Sequence, residues 1–507
     1  MPATPLNSTA PDYDVLIVGA GISGIGMAAH MRMKTPDHSF AIVERRENLG
    51  GTWDLFRYPG IRSDSDMHTL GFDFEPWRHE KSIADAPSIL EYLNRIVDER
   101  GIREKIQFGQ KVIAADFREN EARWYIELEQ ADGTRSQMTA NFLYLGSGYY
   151  DYDEPYDPGF KLGEFKGQVL HPQFWPEDLD YSGKKVVVIG SGATAVTIVP
   201  SMADKADHVT MLQRTPTWMA MRPAKDGLAN AIRKVLPEQW AYKITRFKNI
   251  WMQDFTFKIA RNKPEKVKKN LHSAIEKALG PDFDRATFTP PYDPWDQRLC
   301  LVPDGDMFEA MKSGKATIVT GKIAGFEANG IRLDSGELIE ADIIITATGL
   351  KMAVAGKIDV SVNGEIVDFA ERFYYKGCMF SNLPNLAVVF GYLNASWTLR
   401  ADINSDYVCR VLNEMRTRNV DTVNPILSPE AEAAIEEDDI YDFSSGYIQR
   451  SKHLQPKNGL HYPWRLNQEY VVDRKQMAKS PVDDGLLKFS RAGANAQGSE
   501  EQLEAAE

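Results

Sequence analysis

Residues 13–24 read Tyr13-Asp14-Val15-Leu16-Ile17-Val18-Gly19-Ala20-Gly21-Ile22-Ser23-Gly24. The apolar run predicts a buried strand, and Gly19, Gly21 and Gly24 lead straight into a helical pattern. Glycine at those positions allows a tight turn, lets the backbone approach a pyrophosphate, and permits close packing of helix on strand. The free N–H groups of the helix's first turn then face the anion. The next strand, Phe40-Ala41-Ile42-Val43-Glu44, ends in a carboxylate twenty residues past Gly24, placed to accept hydrogen bonds from ribose hydroxyls. This order of strand, glycine turn, helix, strand and acid predicts a dinucleotide-binding βαβ unit.

The pattern recurs. KVVVIG (185–190) runs into Gly190-Ser191-Gly192-Ala193-Thr194-Ala195 and on to Val196, with Ala195 small enough to keep helix and strand close. The strand that follows, VTMLQ (209–213), ends not in an acid but in Gln213-Arg214-Thr215. A guanidinium grips a 2′-phosphate with charged, forked hydrogen bonds, where a carboxylate would repel it. The two turns therefore predict two different dinucleotides, FAD at the first and NADPH at the second. An ordinary surface cation is the alternative for Arg214. Two further strands, FLYLG (142–146) and DIIITA (342–347), run into Gly146-Ser147-Gly148 and Ala347-Thr348-Gly349. Small residues there suggest chain crossovers with close backbone packing, although ordinary turns would look the same.

With 507 residues the chain exceeds one ordinary domain. Its 43% hydrophobic and 26% charged residues exclude a wholly disordered or fibrous chain. Lys and Arg number 59 against 72 Asp and Glu, a net −13 that argues against broad nucleic-acid binding. No apolar run reaches the roughly 18 residues of a membrane span, so no integral membrane segment is expected. MPATPLNSTAPD (1–12) lacks the charged and apolar regions of a signal peptide and is expected to be a flexible lead-in. The polar, acidic stretch from Ala492 onward is expected to be a frayed tail. Cys300, Cys378 and Cys409 form no C-x-x-C pair. They predict reduced thiols in a cytoplasmic protein, no cysteine-rich metal site, and no dithiol of the kind flavin disulfide reductases need. Residues 221–289 show no convincing strand. Trp240, Ile244, Phe247 and Trp251 share one helix face, and residues 262–279 form a basic amphipathic helix, either a solvated face or a membrane-surface contact.

The segment between the two turns carries a more specific signal. Phe165-Lys166-Gly167-Gln168-Val169-Leu170-His171-Pro172-Gln173-Phe174-Trp175-Pro176 matches the F-x-G-x-x-x-H-x-x-x-W-[P/D] fingerprint, and the chain thereby resembles the type I Baeyer–Villiger monooxygenases. Residues 50–67, 293–308 and 391–403 look most like the ethionamide-activating branch of that family. The resemblance implies an enzyme that reduces FAD with NADPH, adds O2 to the flavin, and holds the resulting peroxide as an anion. That anion attacks a ketone carbonyl, and the adduct rearranges to an ester or lactone. An anion in a dry site needs a fixed cation, and Arg298 in DQRLC matches the family's catalytic arginine. Asp64 in RSDSD matches the carboxylate that orients it and contacts the flavin region.

By the same resemblance Gly51-Thr52-Trp53-Asp54-Leu55 would lie along FAD, Val112 would contact its adenosine part, and Arg62, Ser63 and Asp64 would meet the NADP face. His171 and Trp175 are expected to be structural, because the chemistry needs no histidine base. The family often has Lys before its arginine. Here the residue is Gln297, which throws NADPH preference onto Arg214 and Thr215. The expected fold is α/β, with two Rossmann-like dinucleotide-binding domains, one nested in the other. The FAD-binding domain would take residues 1–147 and 350–507, the NADPH-binding domain 148–349, and a helical subdomain 221–289. The expected substrates are O2 and a ketone, linear aliphatic or small aryl, with sulfoxidation as a side activity. The alternatives are a flavin monooxygenase acting mainly in S- or N-oxidation and, from another class, a non-catalytic nucleotide-binding redox sensor.

Overall fold

The computed structural model describes residues 10–440 and 444–492. Residues 1–9 of the expected lead-in and 493–507 of the expected tail lie outside these. The described edges of both segments are held in place. The Asp12 carboxylate accepts the backbone N–H and the hydroxyl of Thr139, and Ala492 N–H donates to Asp421.

All six strands read from the sequence form, at Tyr13–Val18, Phe40–Val43, Arg135–Leu145, Lys185–Ile189, His208–Gln213 and Ile343–Thr346. They divide between two sheets. In the larger, nine-stranded sheet, Tyr13–Val18 lies parallel to both Phe40–Val43 and Arg135–Leu145. An antiparallel run of Lys111–Arg118, Arg123–Glu129 and Arg135–Leu145 extends it on one side. Two late strands, Asp359–Val362 and Leu386–Val388, return to it from beyond the second sheet. Buried on both faces, Val15, Leu16 and Ile17 separate two apolar cores, as expected for a parallel strand covered on each side.

The second sheet is wholly parallel and built from residues 168–346. Its order is Ala316–Thr320, His208–Gln213, Lys185–Ile189, Ile343–Thr346, Gln168–Leu170. The chain thus starts one sheet, builds another, and comes back to finish the first.

The stretch 221–289 is mainly helical, with helices at Gly227–Val235, Glu238–Asn262 and Pro264–Leu279. One strand intrudes on its start. Met219–Arg222 pairs with Cys300–Pro303, a partner some eighty residues away that no local pattern announces.

The F-x-G fingerprint lies where the chain enters the second sheet. Gly167 is required there because an added Cβ would sit 2.2 Å from the Asp342 carbonyl oxygen. His171 Nδ1 accepts the N–H of Gln173, capping a short turn, and Gln173 donates to the carbonyl of Asp151. Trp175 packs on the second sheet's core.

Candidate active site

The two glycine turns are near copies of each other. Gly21 and Gly192 cap their helices at φ −78°, ψ −177° and φ −77°, ψ −178°. Neither helix has an acidic residue in its first turn or a side chain bonded to its N-terminal N–H groups, which leaves those donors for an anion. In each turn the first glycine has positive φ, +97° at Gly19 and +135° at Gly190. Each packs against the end of the neighbouring strand in its own sheet. A Cβ on Gly19 would lie 2.8 Å from the Gly146 carbonyl oxygen, and one on Gly190 would lie 2.2 Å from that of Ala347. The small residues ending those strands are therefore crossovers with backbone in contact. Gly24 faces inward, its Cβ position 1.9 Å from the Gly19 carbonyl oxygen.

A cavity of about 320 Å³ opens at the carboxyl ends of the first sheet's parallel strands, where open α/β sheets bind their ligands. Gly19, Gly21, Ser23 and Glu44 line it from the first turn, and Gly51, Thr52 and Trp53 face them. The approach is close: a Cβ on Gly51, which has φ +55°, would lie 3.0 Å from the Gly21 Cα. Val112 enters the wall beside a bulge in its strand. Arg62, Ser63, Asp64, Thr194 and Arg298 complete the sequence-predicted residues of this cavity. The side-chain oxygen of Ser147, also in the wall, is buried without a partner. A glycine-lined cradle, an uncapped helix N-terminus and an orphaned hydroxyl fit a dinucleotide carrying phosphates and ribose.

Glu44 has a structural duty as well. Its Oε2 accepts the N–H of Ala20 at 2.7 Å and its Oε1 that of Arg46 at 2.9 Å. Burial pushes its carboxyl above the usual glutamate range, although these N–H groups and the charge of Arg46 resist the shift. Asp54 turns away from the cavity and is buried between Arg46 and Arg57, at 2.7 and 2.5 Å. Leu55 packs on the second sheet's core.

Arg298 is open to the cavity yet surrounded by Asp64, Tyr149, Tyr150 and Tyr447. Its Nε donates to the Leu393 carbonyl at 2.9 Å, which fixes the guanidinium plane. Burial opposes its charge, but the three tyrosines and Asp64 together hold its pKa above the ordinary arginine value. Asp64 shows the reverse balance: burial raises its carboxyl, while Arg298 and Arg62 pull it down. Arg62 itself pairs with Asp306.

The second turn stands at the surface. Gly192 and Ala193 are exposed, and Ala195 and Val196 are buried beneath. Ser191 Oγ donates to the Thr215 carbonyl at 2.8 Å, which ties the turn to the strand end carrying Arg214. Arg214 is exposed and makes no ion pair among the described residues. Among the described residues the Gln297 side chain reaches only Ser444, at 3.4 Å. Tyr58, hydrogen-bonded to Thr194, joins the segment bearing Asp64 to this turn.

The wall also contains residues that sequence reading missed, among them Tyr149, Tyr152, Lys357 and Trp397. Tyr149 stacks on Trp397, with ring centroids 5.0 Å apart, and Trp397 Nε1 donates to Ser23 Oγ at 2.7 Å. The Tyr152 hydroxyl lies 2.9 Å from Thr52 Oγ1, and Lys357 bridges to Asp151 at 2.8 Å. The signal for the tyrosines was present in Gly148-Tyr149-Tyr150, where aromatics directly follow a crossover.

Residues 16–272 match the family model described as pyridine nucleotide-disulphide oxidoreductase. The chain is 49% identical to the FAD-containing monooxygenase EthA of Mycobacterium tuberculosis, over 95% of this chain and 98% of that one. It belongs to the FAD-containing monooxygenase family. The probable FAD-binding monooxygenase AlmA of Acinetobacter baylyi is 47% identical over 94% of this chain and 96% of its own. Among solved structures, an oxidized steroid monooxygenase bound to NADP has a TM-score of 0.73 at 21% identity, over 94% of this chain and 99% of that one, a likeness of fold. This monooxygenase carries no redox dithiol among its described residues, despite the family model's description. Cys300, Cys378 and Cys409 are free and buried, and burial pushes each thiol up to about 12. No helix among the described residues is long and apolar enough to cross a membrane.

Proposed function

We propose that this monooxygenase uses NADPH and O2 to convert ketones, linear aliphatic or small aryl ones, to esters or lactones, with thioether oxidation as a second activity. FAD, when bound, supplies the oxygen-transferring chemistry, and NADPH supplies the electrons. The observation that carries the reading is Arg298, a permanent cation pinned by the Leu393 carbonyl on the wall of the cavity.

The chain's own residues divide the work. N–H groups at Gly21 and Ser23 face one pyrophosphate, and Glu44 accepts from the adjoining ribose. The second turn takes the other pyrophosphate, and Arg214, exposed and without an ion pair among the described residues, grips the 2′-phosphate. Trp397, Tyr149 and Trp53 wall the cavity with apolar surface, which keeps water away and strengthens the field of Arg298. Arg298 holds an oxygen-centred anion that would otherwise be protonated, and so favours nucleophilic attack on a carbonyl. Asp64 keeps the guanidinium turned toward that site. The buried thiols suit a reducing cytoplasm.

The test is a panel pairing a linear ketone with a thioether, products identified by mass spectrometry, on the parent and on Arg298→Ala. Ester from the ketone, abolished in Arg298→Ala while NADPH still reduces the flavin, supports the proposal. Sulfoxide alone moves the chain to the S-oxygenases. NADPH consumption indifferent to both compounds points to a redox sensor.

A further inference from the structure

The Glu238–Asn262 helix is inside out. The residues it buries include Tyr242, Thr245, Arg246 and Asn249, and the face it turns to water carries Trp240, Ile244, Phe247, Trp251 and Phe255. These five are 65, 44, 71, 56 and 48% exposed. Their spacing of i, i+4, i+7, i+11 and i+15 puts them in one stripe about 22 Å long at 1.5 Å per residue. Trp251 and Phe255 stack on one another, with centroids 5.1 Å apart. Val235 and Leu236, just before the helix, are exposed as well.

The helix cannot roll to hide this stripe. Arg246 Nη1 donates to the carbonyls of His68, Thr69 and Gly71, at 3.0, 3.2 and 2.6 Å, and its Nη2 reaches Asp402 at 3.2 Å. The Tyr242 hydroxyl donates to the Phe72 carbonyl at 2.8 Å, and Asn249 Nδ2 to Asp66 at 2.8 Å. Directional bonds to buried partners lock the polar face inward, so the apolar face is held outward.

The surrounding charge says what covers the stripe. Residues 226–280 carry twelve Lys and Arg against five Asp and Glu, in a chain whose net charge is −13. Lys234 precedes Val235 and Leu236, and Lys243 lies between Trp240 and Phe247; both are exposed and neither makes an ion pair among the described residues. A second copy docked face to face would set this basic patch against itself.

We infer that this face docks on the surface of an anionic lipid bilayer. The tryptophan rings sit at the headgroup level, the phenylalanines and isoleucine reach the acyl boundary, and the lysines meet lipid phosphates. Binding lies in the plane of the interface and spans nothing.

Co-sedimentation of the FAD-loaded protein with vesicles tests it. Vesicles of phosphatidylglycerol and phosphatidylcholine should bring it down, with affinity about tenfold or more above that for phosphatidylcholine alone and weakened by salt. Trp240→Ser with Phe247→Ser, and separately Lys234→Glu with Lys243→Glu, should each lower that affinity about tenfold or more. These residues are exposed, so melting temperature and solution turnover should stay those of the parent. The inference falls if the parent stays in solution with both vesicles, or if either double variant binds as the parent does. It falls equally if sedimentation velocity shows a dimer that the serine variant splits and that ignores lipid.

Discussion

Replacing Glu44 by Gln removes a charge and one acceptor oxygen while keeping the side chain's volume. Oε2 and Oε1 of Glu44 serve two backbone donors, Ala20 N–H and Arg46 N–H. An amide can accept from only one, and its NH2 then confronts the other. A buried donor left unmatched costs about 1–3 kcal/mol. Ala20 belongs to the glycine turn, so the cost falls on the N–H groups proposed to face phosphate, and on the proposed reading the ribose would lose its ionised acceptor too. FAD is expected to bind roughly 10–100-fold more weakly, since each 1.4 kcal/mol is about tenfold. Burial holds this carboxyl above the usual range. Acidification therefore protonates it ahead of ordinary glutamates, and the parent's FAD affinity should fall as pH drops through that raised value. Glu44→Gln lacks this step. Stability of the FAD-free chain moves the other way. With the folded pKa above the unfolded one, the Glu44 contribution is complete below the unfolded pKa and is lost as pH rises through the folded one. Titration of FAD into the stripped protein, followed by flavin fluorescence from about pH 4 to 7, reads the affinity; urea melts read the stability. A dissociation constant within about twofold of the parent's, or a pH slope shared by both proteins, refutes the reasoning.

Gly190→Ala meets both positive φ and a carbonyl oxygen 2.2 Å from the new Cβ. Urea denaturation should show a loss of about 2 kcal/mol or more, whereas Gly192→Ala, with open space at its Cβ, should stay within about 0.5. Arg214→Ala should raise KM for NADPH roughly tenfold or more and leave that for NADH alone, because only the former carries a 2′-phosphate. Equal effects on the two coenzymes would return Arg214 to the role of a surface cation. A thiol-specific colour reagent should find no fast-reacting cysteine in the native protein and all three after denaturation.

Strand positions were legible because an unbroken apolar run bounded by small residues leaves little choice of register or length. Both glycine turns were legible for a related reason: at Gly19, Gly24 and Gly190 a carbonyl oxygen lies where a Cβ would be. The cavity wall was less so. Arg298, Asp64 and Trp397 come from three separate stretches, and no spacing in the chain brings Tyr149 onto Trp397. Asp54 sits in a matching motif, yet two neighbouring arginines claim its carboxylate. The tryptophan stripe shows another limit. Periodicity revealed that Trp240, Ile244, Phe247 and Trp251 share a face, but only the bonds made by Arg246 and Tyr242 decide that this face looks outward.

The three sealed thiols bear on how long such a catalyst lasts. A protein that handles O2 beside a flavin releases some peroxide whenever oxygen activation outruns substrate. Cys300 is the thiol nearest the proposed site, its sulfur 3.6 Å from the Ser191 carbonyl and within the field of Asp64 and Arg298. With its pKa pushed up to about 12 it stays protonated, and a protonated thiol is a poor target for peroxide. Wasted turnovers should then cost coenzyme without scarring the catalyst. Wear would begin at exposed methionines such as Met252 rather than at the buried thiols.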